Sequence, residues 1–250
     1  MKRKQTYFNF STIKFLFTFA LLTLSIAGKS QTTDLFFEQT NEFLKKNVTA
    51  DGKVDYNAIK KSPGELIYIL DNAAKMSTKF SDNVLAKAFW INIYNLQVIK
   101  GVIDNFPLKN VDKIPTFFKE NNFIVGNQEL TLDDVENTIL REILFDPAVH
   151  FVLSSASLGG APLLNEAYMP KTLNDQLKAQ TTKIINAKNY YRINKDTKTI
   201  EIPKYFEWYK KDFVTQYFNE VDFLNIFLEK RLDNKFAVKT YDFDWTLNQK

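Results

Sequence analysis

The residue most able to take part in catalysis is His150, the only histidine of the chain. Imidazole is the side chain that ordinarily titrates near neutral pH, which makes it a candidate general acid or base. Hydroxyl groups follow closely at Ser154, Ser155 and Ser157, a pattern that suggests a serine–histidine pair. The apolar run from His150 to Leu153 predicts a buried strand. On a regular strand Ser155 points to the face opposite His150. Ser154 shares the His150 face but lies about 13 Å from His150 along the strand. A catalytic serine–histidine pair therefore requires the strand to bend sharply. The alternative interpretation is that His150 has only a structural role.

Two asparagines interrupt an otherwise apolar helix. Capping by Ser81 and Asp82 predicts a helix from Asn83 to Asp104. At 100° per residue its apolar side chains surround nearly the whole circumference, which is typical of a buried central helix. Asn92 lies in the middle of one apolar arc of this helix, and Asn95 lies at the edge of that arc. A buried amide without partners costs about 1–3 kcal/mol, so these side chains either bond to neighbouring backbone or line a pocket.

Acidic side chains cluster at the start of a second predicted helix, which runs to about residue 144. Asp133, Asp134, Glu136 and Asn137 offer oxygen ligands of the kind that hard cations prefer. The alternative is that the carboxylates complement the helix dipole, and Thr131 three residues before Asp134 predicts a capping box.

A loop and an aromatic stretch carry weaker signals. The loop from Ser154 to Pro162 contains Gly159 and Gly160, which could let backbone amides converge on an anion. It has no lysine and no following helix, so a tight surface loop is the alternative. The stretch 205–209 is rich in aromatic rings, which suits either carbohydrate stacking or core packing.

Composition excludes several classes of function. The absence of cysteine rules out disulfides, thiol nucleophiles and cysteine metal sites, and a single histidine rules out a two-histidine zinc site. The carboxylates of Asp133 and Asp134 are better explained as complements of the helix dipole, so we predict no metal, and we also predict no cofactor. The formal charge of +4 is misleading, because five of the 33 basic residues lie in residues 1–30, which hold no acid. Residues 31–250 then have 28 basic and 29 acidic residues, which predicts no nucleic-acid partner.

The first 30 residues resemble a secretory signal peptide. A basic start is followed by an uncharged run of 13 residues from Phe15 to Ala27, too short to span a bilayer comfortably. Small residues then predict cleavage after Ala27 or Ser30, and an uncleaved anchor is the alternative. We expect an exported protein, periplasmic or extracellular, without a membrane span after cleavage.

Residues 31–250 show no repeat or linker and predict a single domain. Further helices are predicted at 33–48, 65–76, 172–186, 205–213 and 222–232, and hairpins at 123–130 and 191–202. A last strand is predicted at 236–241. Helices mixed with hairpins, without βαβ alternation, indicate an α+β fold. The buried central helix would pack against short antiparallel strands and surrounding helices.

Six motifs occur in an order that resembles the domain of unknown function 547 family. They are Ala88–Asn95, Leu130–Glu136, Asp146–Phe151, Pro162–Tyr168, Phe206–Phe213 and Tyr241–Asn248. The resemblance covers about residues 53–248, and the family has no assigned activity. A thiol-protease-like fold, with the central helix and the His150 segment in the usual roles, is what the resemblance suggests.

Departures from the family pattern bear most on function. The family usually has histidine where this chain has Asn137, and cysteine at the positions of Ser155 and Gly160. A typical member would thus carry four residues that could form a thiol, metal or disulfide site, one of them the histidine that this chain keeps as His150. The other three are replaced here. The resemblance implies a degenerate site that acts by binding an unknown envelope ligand or protein.

The remnant pocket is predicted to be lined by five polar residues. They are Asn92, Asn95, Glu136, Asn137 and Glu166. The alternative is a hydrolase in which Ser155 or a carboxylate acts with His150. A purely structural partner of an envelope complex is a third class, which a large exposed aromatic patch would favour.

Overall fold

The computed structural model describes residues 32–80 and 82–250. The predicted signal peptide, its cleavage positions and the predicted cap at Ser81 lie outside the described residues. The helices are α1 (32–47), α2 (Tyr56–Lys61), α3 (Gly64–Lys75), α4 (Asn83–Asp104), α5 (Leu173–Ile185), α6 (Tyr205–Trp208), α7 (Lys210–Val214) and α8 (Glu220–Phe227). Short 3-10 helices span Val111–Lys113 and Pro147–Phe151, and a π-helix spans Asp134–Ile143.

The central helix α4 has the predicted bounds and burial. Asp82 caps it, because its carboxylate accepts hydrogen bonds from the backbone N–H groups of Val84 and Leu85. Nearly every residue from Ala86 to Ile103 is buried, on all sides of the helix. The helix is therefore surrounded by the rest of the fold, as its apolar circumference predicts.

Two small sheets complete the α+β architecture. Strands β1 (Phe123–Val125) and β2 (Gln128–Leu130) form the predicted antiparallel hairpin, with Phe123 opposite Leu130. Strands β3 (Arg192–Asn194) and β4 (Thr199–Pro203) form the second, and β5 (Ala237–Tyr241) pairs with β4 in parallel. The sheets are small, and most of the core is built by helices.

Buried apolar side chains form two clusters. The larger surrounds α4 and includes residues of α1 to α3. The smaller is built around Phe151, Phe206, Phe213 and Phe223, and joins the C-terminal helices to the mixed sheet. The 3-10 helix Pro147–Phe151 lies where they meet, since Val149 belongs to the larger cluster and Phe151 to the smaller.

The predicted strand from His150 to Leu153 is wrong. His150 lies in the 3-10 helix Pro147–Phe151, which Asp146 starts by accepting a hydrogen bond from the N–H of Ala148. A proline in the first turn has the φ angle that a helix needs and no N–H to leave unpaired. The cap and the proline thus decide the local structure, although the apolar run alone suits a strand.

The C-terminal segment returns to the larger cluster. Asn248 is buried, and its Oδ1 accepts a hydrogen bond of 2.7 Å from the hydroxyl of Tyr56. Ser157 forms a bridge with Leu247, and Val54 with Gln249. The last residues therefore tie together segments that are far apart in the chain. Among the described residues, no helix combines the length and the apolar character that crossing a membrane requires.

Candidate functional site

A cleft of about 520 Å³ opens between the two apolar clusters. The central helix contributes Tyr94, and the π-helix region contributes Asp133, Glu136 and Asn137. The remaining walls come from Phe118 and Lys119, the segment around His150, the loop 155–161, the α6 region and the C-terminal segment. The lining from these parts includes Leu153, Ser155, Gly160, Tyr205, Trp208, Tyr209, Phe243 and Trp245. Such a concave, largely aromatic cleft with a few polar groups is the usual form of a small-ligand site.

The polar centre of the cleft wall is a network of hydrogen-bonded and ion-paired side chains that ends at His150. Nε2 of His150 lies 2.8 Å from Oδ2 of Asp212, on α7. Both oxygens of Asp212 also accept hydrogen bonds from the guanidinium of Arg141, at 2.5 and 3.1 Å. Arg141 in turn donates to Oδ1 of Asn137. The four side chains thus fix one another, and Asp212 is held from two sides.

The charge state of Asp212 decides that Nε2 is a ring nitrogen of His150 that carries a proton. Burial opposes ionisation of the carboxyl, but hydrogen bonds from His150 and Arg141 outweigh it and lower the pKa of Asp212 to about 2. The carboxylate is therefore an acceptor only, so the hydrogen-bonded Nε2 of His150 carries the proton. In a neutral ring the basic nitrogen is then Nδ1, for which no hydrogen-bond partner is found within residues 32–80 and 82–250.

Aromatic rings enclose the histidine. The His150 ring stacks on Tyr209 with centroids 4.2 Å apart, and Phe213 lies 5.1 Å away at a tilt. The guanidinium of Arg141 lies over the same Tyr209 ring, 4.6 Å from its centroid. Only 3% of the His150 side chain is exposed. The ring is accordingly rigid, and little of it reaches solvent.

A second polar pair joins the central helix to the π-helix. The hydroxyl of Tyr94 donates a 2.9 Å hydrogen bond to Oε2 of Glu136. Burial, together with the charge of Glu136, raises the pKa of Tyr94 well above its ordinary value and also raises the pKa of Tyr209. Both phenols stay protonated as donors, so Glu136 is held as a partly exposed carboxylate beside two rings.

The π-helix begins with the predicted capping box. The carboxylate of Asp134 accepts hydrogen bonds from the backbone N–H and hydroxyl of Thr131, and the Asp134 N–H donates back to that hydroxyl. Asp134 is thus occupied as a cap. Across the described stretches of the chain, no three of the carboxylate and imidazole residues come together in a way that could hold a metal ion.

Ser155 faces the cleft, but its hydroxyl is bonded to another serine. Its Oγ lies 2.6 Å from Oγ of Ser157, and no hydrogen bond joins it to His150. Between them Ala156 has φ of +55°, a left-handed conformation that is uncommon for a residue with a Cβ atom. Ser154 is buried and accepts from the Ala156 N–H. The loop is therefore a tight turn in which the serines bond locally.

The glycine pair brings this loop against the C-terminal segment. The N–H groups of Leu158 and Gly159 donate to the carbonyls of Thr246 and Asp244, both at 2.8 Å, and the Gly160 N–H donates to Ser157. Amides already bonded to carbonyls are not available for an anion, so the loop does not form the anion cradle that the glycines could have provided. Its role in the fold is to hold the segment that carries Phe243 and Trp245.

Positions 155 and 160, at which the family resemblance implies cysteines in relatives, lie next to each other. A Cβ atom on Gly160 would overlap the Oγ of Ser155 and lie 3.3 Å from its Cβ. Disulfide-linked residues have Cβ atoms about 3.5–4.5 Å apart. The backbone at this pair is thus close to the geometry of a disulfide.

The sequence-predicted site residues separate into two groups. His150, Ser155, Glu136 and Asn137 lie together in the cleft lining. The three other predicted lining residues are not among its lining. Asn92 bonds to both backbone groups of Tyr168, and Asn95 bonds to the carbonyl of Val152 and the N–H of Ser154. Glu166 is exposed and accepts from Gln176.

The comparisons with known proteins identify the domain. Residues 79–185 match the family model described as "Protein of unknown function, DUF547". The match supports a DUF547-family domain over these residues. No curated protein and no solved structure matches the chain. The matched range of this DUF547 domain contains α4, His150 and Ser155 but ends before Asp212 and the C-terminal aromatic residues, and it is narrower than the motif range of 53–248.

Sequence reasoning missed the partners of the histidine. Arg141 and Asp212 are far from His150 in the chain, and nothing in their spacing marks them. Asp212 does lie in the motif Phe206–Phe213, and Trp245 lies in the last motif, so the motif order was the one signal available.

Proposed function

We propose that this protein is an exported binding protein whose cleft holds a small ligand without chemical turnover. The observation that carries the proposal is the separation of the two groups that a serine hydrolase must join. The Ser155 hydroxyl bonds to Ser157, and Nε2 of His150 bonds to Asp212. A nucleophile is activated by a base within hydrogen-bond reach, and the described residues include no such pair at Ser155.

The groups at the cleft suit binding. Glu136 presents a carboxylate fixed by Tyr94, and the chain of Asn137, Arg141 and Asp212 keeps one wall rigid. Preorganised polar groups lower the entropic cost of ligand binding. These groups would orient a ligand on an aromatic surface.

A fluorophosphonate probe tests the absence of an activated serine. Such a reagent phosphonylates a nucleophilic serine oxygen with loss of fluoride. We expect no more labelling of the wild type than of the Ser155→Ala variant, with Ser157→Ala as the matched control. Labelling at Ser155 that Ser155→Ala abolishes would overturn the proposal.

A hydrolase that uses Ser155 with His150 is the second candidate. The pair of His150 and Asp212 supports it, since a carboxylate that holds one ring nitrogen leaves the other free to accept a proton. In the serine-protease triad the carboxylate holds Nδ1 and Nε2 is the base, whereas here Asp212 holds Nε2. It requires the Ser155 hydroxyl to leave Ser157 and turn toward the ring. Fluorophosphonate labelling that is lost in both Ser155→Ala and His150→Ala would favour this candidate.

Export is part of the proposal and has its own test. The leader resembles a signal peptide, so the mature chain would begin at Gly28 or Gln31. Intact-mass measurement of the protein from periplasmic and culture fractions should give one of these two masses. Recovery of a chain that retains residues 1–30 would contradict cleavage.

A further inference from the structure

Three aromatic side chains form an open surface at the cleft, here called the aromatic shelf: Trp208, Phe243 and Trp245. Trp208 and Phe243 have ring centroids 5.2 Å apart, and Phe243 and Trp245 have centroids 4.5 Å apart. Trp208 is 46% exposed, and the other two rings are partly exposed. The three rings pack on one another and leave accessible area in the cleft. Exposed apolar patches on a soluble protein commonly mark interaction or ligand sites.

The shelf has unused hydrogen-bond donors. Neither indole N–H of Trp208 and Trp245 has an acceptor within residues 32–80 and 82–250. The same cleft contains two partly exposed carboxylates, Asp133 and Glu136. Flat apolar faces therefore lie in one cleft with both donors and acceptors.

The charges of the cleft select against a strongly charged ligand. Lys119 and the two carboxylates of Asp133 and Glu136 are of mixed sign. The Arg141 guanidinium is already paired with Asp212 and covers the face of Tyr209. Among the described lining residues, no cluster of unpaired cationic side chains is present that could bind a phosphate or sulfate. The positive charge of Lys119 disfavours a cationic ligand.

We propose that the cleft binds a neutral oligosaccharide, with a sugar ring on the aromatic shelf and its hydroxyl groups donating to Glu136 and Asp133. This inference rests on the proposed binding function. A pyranose has apolar C–H faces that lie on aromatic rings, and hydroxyl groups that both donate and accept around its edge. It thus uses the faces, the indole donors and the carboxylates of one cleft together.

Fluorine NMR of the 5-fluorotryptophan-labelled protein tests the proposal. The chain has three tryptophans, so three resonances are expected, assigned with Trp208→Phe and Trp245→Phe. Trp90, 5% exposed in the core, is an internal control. Millimolar chitotetraose, cellotetraose and maltotetraose are added separately. We expect at least one to shift the Trp208 and Trp245 resonances while the Trp90 resonance stays in place.

Variants of the shelf test its role in affinity. Trp208→Ala should weaken binding of the active oligosaccharide by roughly 3- to 10-fold, the range given by loss of one aromatic contact. Trp208→Phe, which keeps a ring face but loses the indole donor, should weaken it less. Phe218→Ala, at an exposed residue that is not among the cleft lining, should change nothing. An unchanged affinity in Trp208→Ala would overturn the proposal.

A parallel screen separates failure of the inference from failure of the proposed function. The labelled protein is also mixed with a tripeptide library and with aromatic carboxylic acids. If these shift the two cleft resonances and no oligosaccharide does, the cleft binds ligands but the carbohydrate inference is wrong. If no probe of any class shifts them, both the inference and the binding function are wrong.

Discussion

The carboxylate of Asp212 lies 2.8 Å from Nε2 of His150, and it joins helix α7 to the 3-10 helix that contains the histidine. The same carboxylate pairs with Arg141, so one side chain connects three separate segments. It is only 6% exposed. A buried carboxylate is tolerated because both of its partners donate hydrogen bonds to it.

Replacing Asp212 should make stability less dependent on pH in the acid range. The pKa of the folded-state carboxyl is lowered from 3.8 to about 2, so its stabilisation is present above about pH 4 and is lost as pH falls through about 2. At neutral pH, Asp212→Asn should reduce the free energy of unfolding by about 2 kcal/mol. Urea unfolding at several pH values measures this difference.

The control for this prediction is Asp196→Asn, in the exposed turn between β3 and β4. It should leave the free energy of unfolding unchanged at every pH. An Asp212→Asn difference that stays constant from neutral pH to about pH 2 would contradict the linkage argument.

The side-chain amide of Asn92 should contribute more to the free energy of unfolding than a single hydrogen bond does. It bonds to both the N–H and the carbonyl of Tyr168, and to the carbonyl of Ala88. Asn92→Ala leaves the buried backbone of Tyr168 unpaired, and we expect a loss of about 3 kcal/mol. Asn105→Ala, which removes one partly exposed bond within α4, should cost less than about 1 kcal/mol. Chemical denaturation compares the two, and equal losses would refute the bridging role.

The neighbouring glycines 159 and 160 should respond differently to alanine. A Cβ on Gly159 would lie 2.6 Å from the backbone nitrogen of Asp244, which cannot move without shifting the C-terminal segment. Gly159→Ala should therefore cost about 2 kcal/mol. A Cβ on Gly160 meets the Ser155 hydroxyl, which can rotate. Gly160→Ala should be milder, and adding Ser155→Ala should relieve its remaining cost. Thermal unfolding with the same result for both glycines would contradict this account.

A disulfide should form between positions 155 and 160 when both carry cysteine. The close approach of the two positions predicts that Ser155→Cys with Gly160→Cys oxidises readily. Closing so short a loop should stabilise the oxidised form over the reduced form by about 2 kcal/mol. Thiol titration and denaturation in both redox states measure this. Ser155→Cys alone is the control, and two free thiols after oxidation would show that the predicted geometry is wrong.

The helices and hairpins were largely predictable because their signals are local. A few adjacent residues are enough to predict each of these features: the apolar circumference of α4, its cap at Asp82, and the turn at Gly126 and Asn127. The helix predicted for 205–213 is instead divided into α6 and α7 at Tyr209. The strand predicted at His150 failed for a similar reason, because an apolar run suits more than one buried structure and Pro147 decided between them.

Sequence alone determined the α+β class, the buried central helix, the DUF547 relationship and the absence of thiol groups, since these depend on composition, periodicity and motif order. Only the tertiary structure decided which polar residues meet. It placed Asn92 and Asn95 on backbone groups, and it brought Arg141 and Asp212 to His150. Hydrogen bonds between residues distant in the chain depend on how whole elements pack, and no local pattern records that packing.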